Sequence, residues 1–289
     1  MNQELIEEIV RRVLENMDNK QELYADYESD EDESGFLNMT DITSDESKGE
    51  VLLENPKDMD VLIQMKSKTA ARIGVGRAGS RLNTRTLITL RADHAIAHDA
   101  VMVDVDEEIL NKLNIKKIQT LCKDRNEHLT RPDLGAMFSE KTLNELKKDC
   151  ILSPQVQIYV SDGLSSKAVE ANIENILPSL IDGLKRHNIN VGTTFFVKYG
   201  RVPSMDVISE TIASEVTCVL IGERPGLATA KSMSAYIAYK ASVGMTESRR
   251  TVVSNIHDGG INAVEAGAYI ADVIKKMLEL KVSGVDLNL

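Results

Sequence analysis

Apolar positions change their spacing along this chain, and each change marks a different element. Over residues 1–19, Leu5, Ile6, Ile9, Val10, Val13, Leu14 and Met17 recur at helical spacing, with Glu7, Glu8, Arg11, Arg12 and Glu15 opposite them. That pattern predicts a short amphipathic helix. From 20 to 54 the apolar residues thin out and lose any period, which predicts an acidic, disordered linker. Residues 55–150 read as a mainly helical domain. One run starts at Asn55-Pro56 and another spans Thr84 to His98. A third is entered through the turn Thr130-Arg131-Pro132-Asp133 and continues to about Lys148.

From 151 to 289 short β-branched runs alternate with longer amphipathic ones. Strands are expected at Gln155–Val160, Thr193–Tyr199, Val216–Ile221 and Arg250–Ile256. Helices are expected at about Ser165–Arg186, Ser204–Ala213 and Ala263–Leu280. Alternation of this kind predicts an α/β domain: a doubly wound, mostly parallel sheet with helices on both faces. The whole chain then reads as a flexible N-terminal tail, a helical domain and a C-terminal α/β domain.

Composition narrows the function classes. The net charge of -11 is concentrated in residues 21–50, where eleven carboxylates face a single Lys48. The remainder is close to neutral, so electrostatics make no case for nucleic acid. Aromatic residues are 4% of the chain and Trp is absent, which argues against a ring-lined sugar or single-strand surface. No apolar run approaches a membrane span, and the N-terminus lacks the continuous apolar stretch of a signal peptide. Cys122, Cys150 and Cys218 are far apart and have no zinc-ligand spacing, which predicts reduced thiols in a cytosolic setting.

Candidate chemistry sits after the strands. Ser161-Asp162-Gly163, Gly200-Arg201-Val202, Gly222-Glu223-Arg224 and Ser254-Asn255-Ile256-His257 each follow or close a predicted strand. Open α/β sheets bind ligands at the carboxyl ends of their strands, so these clusters should converge on one edge. Two local motifs mislead. Gly74-Val75-Gly76-Arg77-Ala78-Gly79 has dinucleotide-loop spacing but no preceding strand, so it reads as a basic, glycine-rich loop facing a partner or an anion. Asn255-Ile256-His257-Asp258-Gly259-Gly260 nearly matches a cobalt-ligating D-x-H-x-x-G pattern. There Asn255 replaces the carboxylate that would orient the histidine, so His257 reads as a hydrogen-bonding loop residue. His94 and His98, one helical turn apart, have no third ligand at suitable spacing. No metal site is assigned. Asp162 and Glu223 suit either acid/base work or ligand hydrogen bonding.

Taken in order, several blocks resemble the small subunit, or light chain, of ethanolamine ammonia-lyase. They are Ala71–Gly79, Leu129–Gly135, Ser161–Ser165, Phe195–Val202, Ile221–Leu227, Ser254–His257 and Val264–Ala268. The likeness covers about residues 55–289. It implies a lyase that converts ethanolamine to acetaldehyde and ammonia by adenosylcobalamin radical chemistry, with the substrate site in a separate large subunit. It implies no catalytic residue in this chain and no activity alone. The cofactor would be held base-on, shared with the large subunit, with contacts at Arg201, Val202, Glu223 and Val252. It further implies a heteromultimer inside a bacterial microcompartment in the cytoplasm, with residues 1–19 addressing the shell, and neither nucleic acid nor membrane as partner. Two other classes stay open on residues alone: a structural adaptor without cofactor contact, and a self-sufficient α/β enzyme using Asp162 or Glu223.

Overall fold

The computed structural model describes residues 41–288. The expected tail helix (1–19) and the first part of the expected linker (20–40) lie outside the described residues. Residues up to 50 and residues from 51 onward separate as two units. Within the first, α1 (Asp45–Gly49) is a single turn started by Ser44, whose hydroxyl accepts from the Ser47 N–H at 3.1 Å. The stretch expected to be structureless to residue 54 therefore holds a capped turn. Its last residues belong to the second unit, where the Leu52 N–H donates to the Gly74 carbonyl at 2.8 Å.

In the second unit α2 (Met59–Lys66) precedes a small antiparallel pair, β1 (Arg77–Ala78) and β2 (Arg81–Leu82). The glycine-rich motif thus opens a hairpin and no βαβ unit. Helices α3 (Thr84–Met102) and α4 (Glu107–Lys112) follow, started by the side chains of Asn83 and Asp106. The next element, β3 (Lys116–Gln119), departs from expectation: it is a strand on the edge of the main sheet. Residues 55–150 are therefore not a separate helical domain, because β3 pairs in parallel with a strand beyond residue 190. Then come α5 (Arg125–Thr130) and α6 (Glu140–Asp149), the latter capped by Ser139.

The sheet has six strands in the order β3-β5-β4-β6-β7-β8. They are β4 (Val156–Ser161), β5 (Phe195–Lys198), β6 (Val216–Gly222), β7 (Met233–Tyr239) and β8 (Thr251–Ile256), with β3 at one edge. Pairing is parallel from β3 through β6 and antiparallel on both sides of β7. The fold is thus mixed α/β with a mostly parallel sheet. Every residue of β4 and β6 is buried, as expected for central strands covered on both faces.

Alternate residues feed two cores. Ile158, Val160, Cys218 and Leu220 meet α7 (Ser166–Arg186) and α9 (Ala263–Leu280) on one side. Tyr159, Val219 and Ile221 meet α6 and α8 (Ser204–Ile212) on the other. Helix α7 turns Val169, Ile173, Ile176, Leu180 and Leu184 inward at helical spacing. It packs tightly against α9 because Gly267 lies where a Cβ would come within 2.7 Å of the Ile176 carbonyl.

Candidate functional site

The register places the four predicted clusters at one edge. Ser161 lies beside Val197 and Ile221, and Gly222 lies beside Met233, which faces Ile256. The turns after β4, β5, β6 and β8 therefore share one end of the sheet, and β7, running the other way, begins there.

Asp162 anchors this edge. It is 1% exposed and accepts the Tyr199 N–H at 2.8 Å, tying the turn after β4 to the turn after β5. Burial pushes its carboxyl up to about 6, and the neighbouring Arg125 opposes that rise. The Arg125 guanidinium lies 3.0 Å from Asp162 and 3.0 Å from Asp104, and Lys198 holds the other oxygen of Asp104 at 2.6 Å. Gly163 follows with φ +51, and a Cβ there would meet the Gly222 carbonyl at 2.5 Å. Both the backbone sign and the lack of space require glycine.

His128 joins the same turns from above. Its Nδ1 is 3.0 Å from the Tyr199 carbonyl and its Nε2 2.8 Å from the Gly163 carbonyl. Burial, with the positive Arg201 beside it, pushes the imidazole down to about 4. A neutral ring donates to one carbonyl at a time. The His128 carbonyl in turn accepts from Arg201 at 2.6 Å, and the Arg201 N–H donates to the Gly135 carbonyl at 2.9 Å. Arg201 is half-buried, and its Nε is buried without a hydrogen-bond partner.

Glu223 knits the other half of the edge. One carboxylate oxygen accepts from the Ser234 hydroxyl at the start of β7 and from the Asn255 N–H of β8, the latter at 3.1 Å. Val202 borders the core under α8. Val252 is not at the strand ends: it pairs with Tyr236 near the start of the edge strand β8 and is 43% exposed. Side chains alternate along a strand, and Val253 enters the α7–α9 core, so Val252 points to the opposite face. That is the face where Tyr236 borders the α8 core. Arg201, Val202 and Glu223 thus belong to the strand-end turns, which form one shelf, whereas Val252 lies apart from them on the face of β8 beside Tyr236.

His257 is committed within its loop. Its Nε2 lies 2.8 Å from Asn255 Oδ1, and its Nδ1 accepts the Gly259 N–H at 3.1 Å. Arg125, His128 and Ser234 were not singled out from sequence. The one local signal near the first two is Asp124, three residues before Glu127, where the Asp124 side chain caps α5 by accepting the Glu127 N–H at 2.8 Å. That pattern announces a helix and says nothing of what the helix covers.

Comparison with known proteins is consistent along the chain. The family model described as ethanolamine ammonia-lyase light chain (EutC) matches residues 59–288. A protein of Clostridium tetani named ethanolamine ammonia-lyase small subunit is 60% identical over 261 residues, covering 89% of this chain and 87% of its own. Proteins of the same name from Clostridium perfringens and Fusobacterium nucleatum are 51% and 48% identical. These alignments cover 98% of this chain, and 92% and 98% of theirs.

Proposed function

The chain belongs to the ethanolamine ammonia-lyase light-chain family, and from that premise we propose that it is the small subunit of a two-subunit lyase that holds adenosylcobalamin against a large catalytic subunit. The reaction proposed is conversion of ethanolamine to acetaldehyde and ammonia, with substrate chemistry in the large subunit. The cofactor would supply homolytic cobalt–carbon chemistry, and the protein's part is placement.

The observation that carries this reading is the donor set of the shelf. Cobalamin presents amides, hydroxyls and one phosphodiester. Arg201 uses one terminal nitrogen on His128 and leaves Nε, buried and unpartnered, for a charge-assisted bond to a phosphate or amide oxygen. Glu223 is pinned through one oxygen by Ser234 and Asn255, which orients the other to accept from an amide or hydroxyl. Val202 and Val252 offer apolar contact to the corrin edge. His257 uses both ring nitrogens within its loop and so would not be among the residues that hold the cofactor.

The test is acetaldehyde release with this chain, the large subunit, and the two mixed. Activity only in the mixture supports the reading. Glu223→Ala, which removes a charged acceptor, should then weaken cobalamin retention by about ten- to a hundredfold. Unchanged retention would favour the adaptor reading, and activity from this chain alone would put Asp162 and Glu223 back as acid/base groups. Residues 1–19 are proposed to address the assembly to a microcompartment shell, on the strength of their helical period. Deleting them should leave activity intact and abolish packaging, and lost activity with packaging kept would overturn this.

A further inference from the structure

Between Asp60 and Asp93 the chain has no carboxylate, while five arginines and two lysines lie in that span. In the same region two helices leave several of their apolar residues bare. Helix α3 turns only Thr86, Asp93 and Ala100 into its own chain. These recur every seventh residue and mark one narrow line along it. On the opposite side Ile88 and Met102 are 48% and 37% exposed, and Ile96, flanking the buried line, is 41% exposed. Helix α2 buries no residue and exposes Val61, Ile63 and Met65 by 49–55%. Single bare apolar residues are ordinary, but several on each of two successive helices, in a span rich in cations, mark an interface.

The position of this stretch points to what covers it. The end of α3 is fastened to the body: the Ala100 carbonyl accepts from Ser166 at the start of α7, 3.3 Å away. The following Val103 carbonyl and Asp104 side chain accept from Arg125 at 3.3 and 3.0 Å. Arg125 is the partner of Asp162, so the bare helix leaves the body at the edge that carries Arg201 and Glu223.

We propose that residues 59–103 form the docking arm for the large subunit, whose matching surface is apolar at its centre and acidic around it. This rests on the reading above, in which the large subunit faces the strand-end shelf and so meets the arm that leaves from it. A second copy of this chain fits less well, because a two-fold contact through this patch would set arginines against arginines.

The experiment mixes the large subunit with Ile88→Glu/Ile96→Glu, with Arg81→Glu/Arg91→Glu, and with the unaltered chain, all without cobalamin, and measures association by sedimentation. These four side chains are exposed, so circular dichroism and melting should be unchanged. The isoleucine variant should bind at least ~tenfold more weakly. The arginine variant should also weaken and lose salt dependence between about 0.05 and 0.5 M salt. Association of both variants at the unaltered strength would overturn the inference. So would variants that lose only self-association of the isolated chain, or only binding to phosphatidylserine vesicles. Glu223→Ala should associate normally in this assay. If it does and still loses cobalamin while the arm variants bind normally, the arm falls and the cofactor reading stands. If the arm variants fail to bind but Glu223→Ala retains cobalamin, the arm stands and the cofactor contact falls.

Discussion

Replacing Arg125 by Leu tests how the strand-end edge is held. Arg125 is 6% exposed and Asp162 1%, with guanidinium and carboxylate 3.0 Å apart. Leucine would leave that carboxylate buried, with the backbone N–H groups of Tyr199, at 2.8 Å, and Gly200 as its hydrogen-bond donors, since the Ser161 hydroxyl donates to the Val197 carbonyl at 2.9 Å. Removing one partner of a buried pair costs about 3–5 kcal/mol. Asp104 keeps Lys198 at 2.6 Å, so the loss is centred on Asp162. The sign of the pH dependence follows from its carboxyl, raised to about 6 by burial against ~3.9 in an unfolded chain. Such a group contributes stability that is complete below the unfolded value and is lost as pH rises through the folded one. Arg125 opposes the rise, so its removal carries the carboxyl higher and extends the loss upward. The variant's deficit should grow as pH rises above ~6 and be at least twice as large near pH ~8 as near pH ~5, where the carboxyl is protonated in both proteins. Urea unfolding followed by far-ultraviolet circular dichroism at the two pH values measures it. Adding Asp162→Asn to Arg125→Leu should recover part of the loss at the higher pH only. A deficit below about 1 kcal/mol at pH ~8, or one equal at both values, would refute the reasoning.

Arg250→Met should cost about 3–5 kcal/mol in the same assay, since Arg250 and Asp206 are 1% and 5% exposed and 2.7 Å apart. An effect within about 0.5 kcal/mol would show that pair to be dispensable. The His128 imidazole, held down to about 4, contributes stability present above ~6.5 and lost as pH falls toward that folded value. The advantage of the unaltered protein over His128→Gln should therefore shrink between pH ~7.5 and ~4.5, and a constant difference would contradict it. Cys218 is fully buried and its thiol is pushed up to about 12 by burial, and Cys122 is buried as well. Neither should react with a thiol reagent at pH ~8 until the chain is unfolded.

Much of the parallel half of the sheet was legible in the sequence. Strands buried on both faces must be apolar nearly throughout, and β4 and β6 announce themselves that way. The inward stripe of α7 is visible at helical period. Turns after strands collect polar residues and glycine, so the strand-end positions of Arg201 and Glu223 could be read directly. Strands β3 and β7 were not legible. In β3 only Ile118 is buried, because a short edge strand needs one anchor and takes its remaining order from β5. In β7, Met233, Ala235 and Ile237 alternate with Ser234, Tyr236 and Ala238. With Ser234 and two alanines in it that run is weakly marked, and its reversed direction is set by pairing with β6. The position of Val252 on the sheet face likewise depends on which strand lies beside β8. The contacts that shape the site join residues far apart in the chain: Arg125 with Asp162, His128 with Tyr199 and Arg201, and Glu223 with Asn255. Local pattern reports which face of an element avoids water. Only the assembled sheet, by bringing distant turns to one end, decides which buried charge meets which partner.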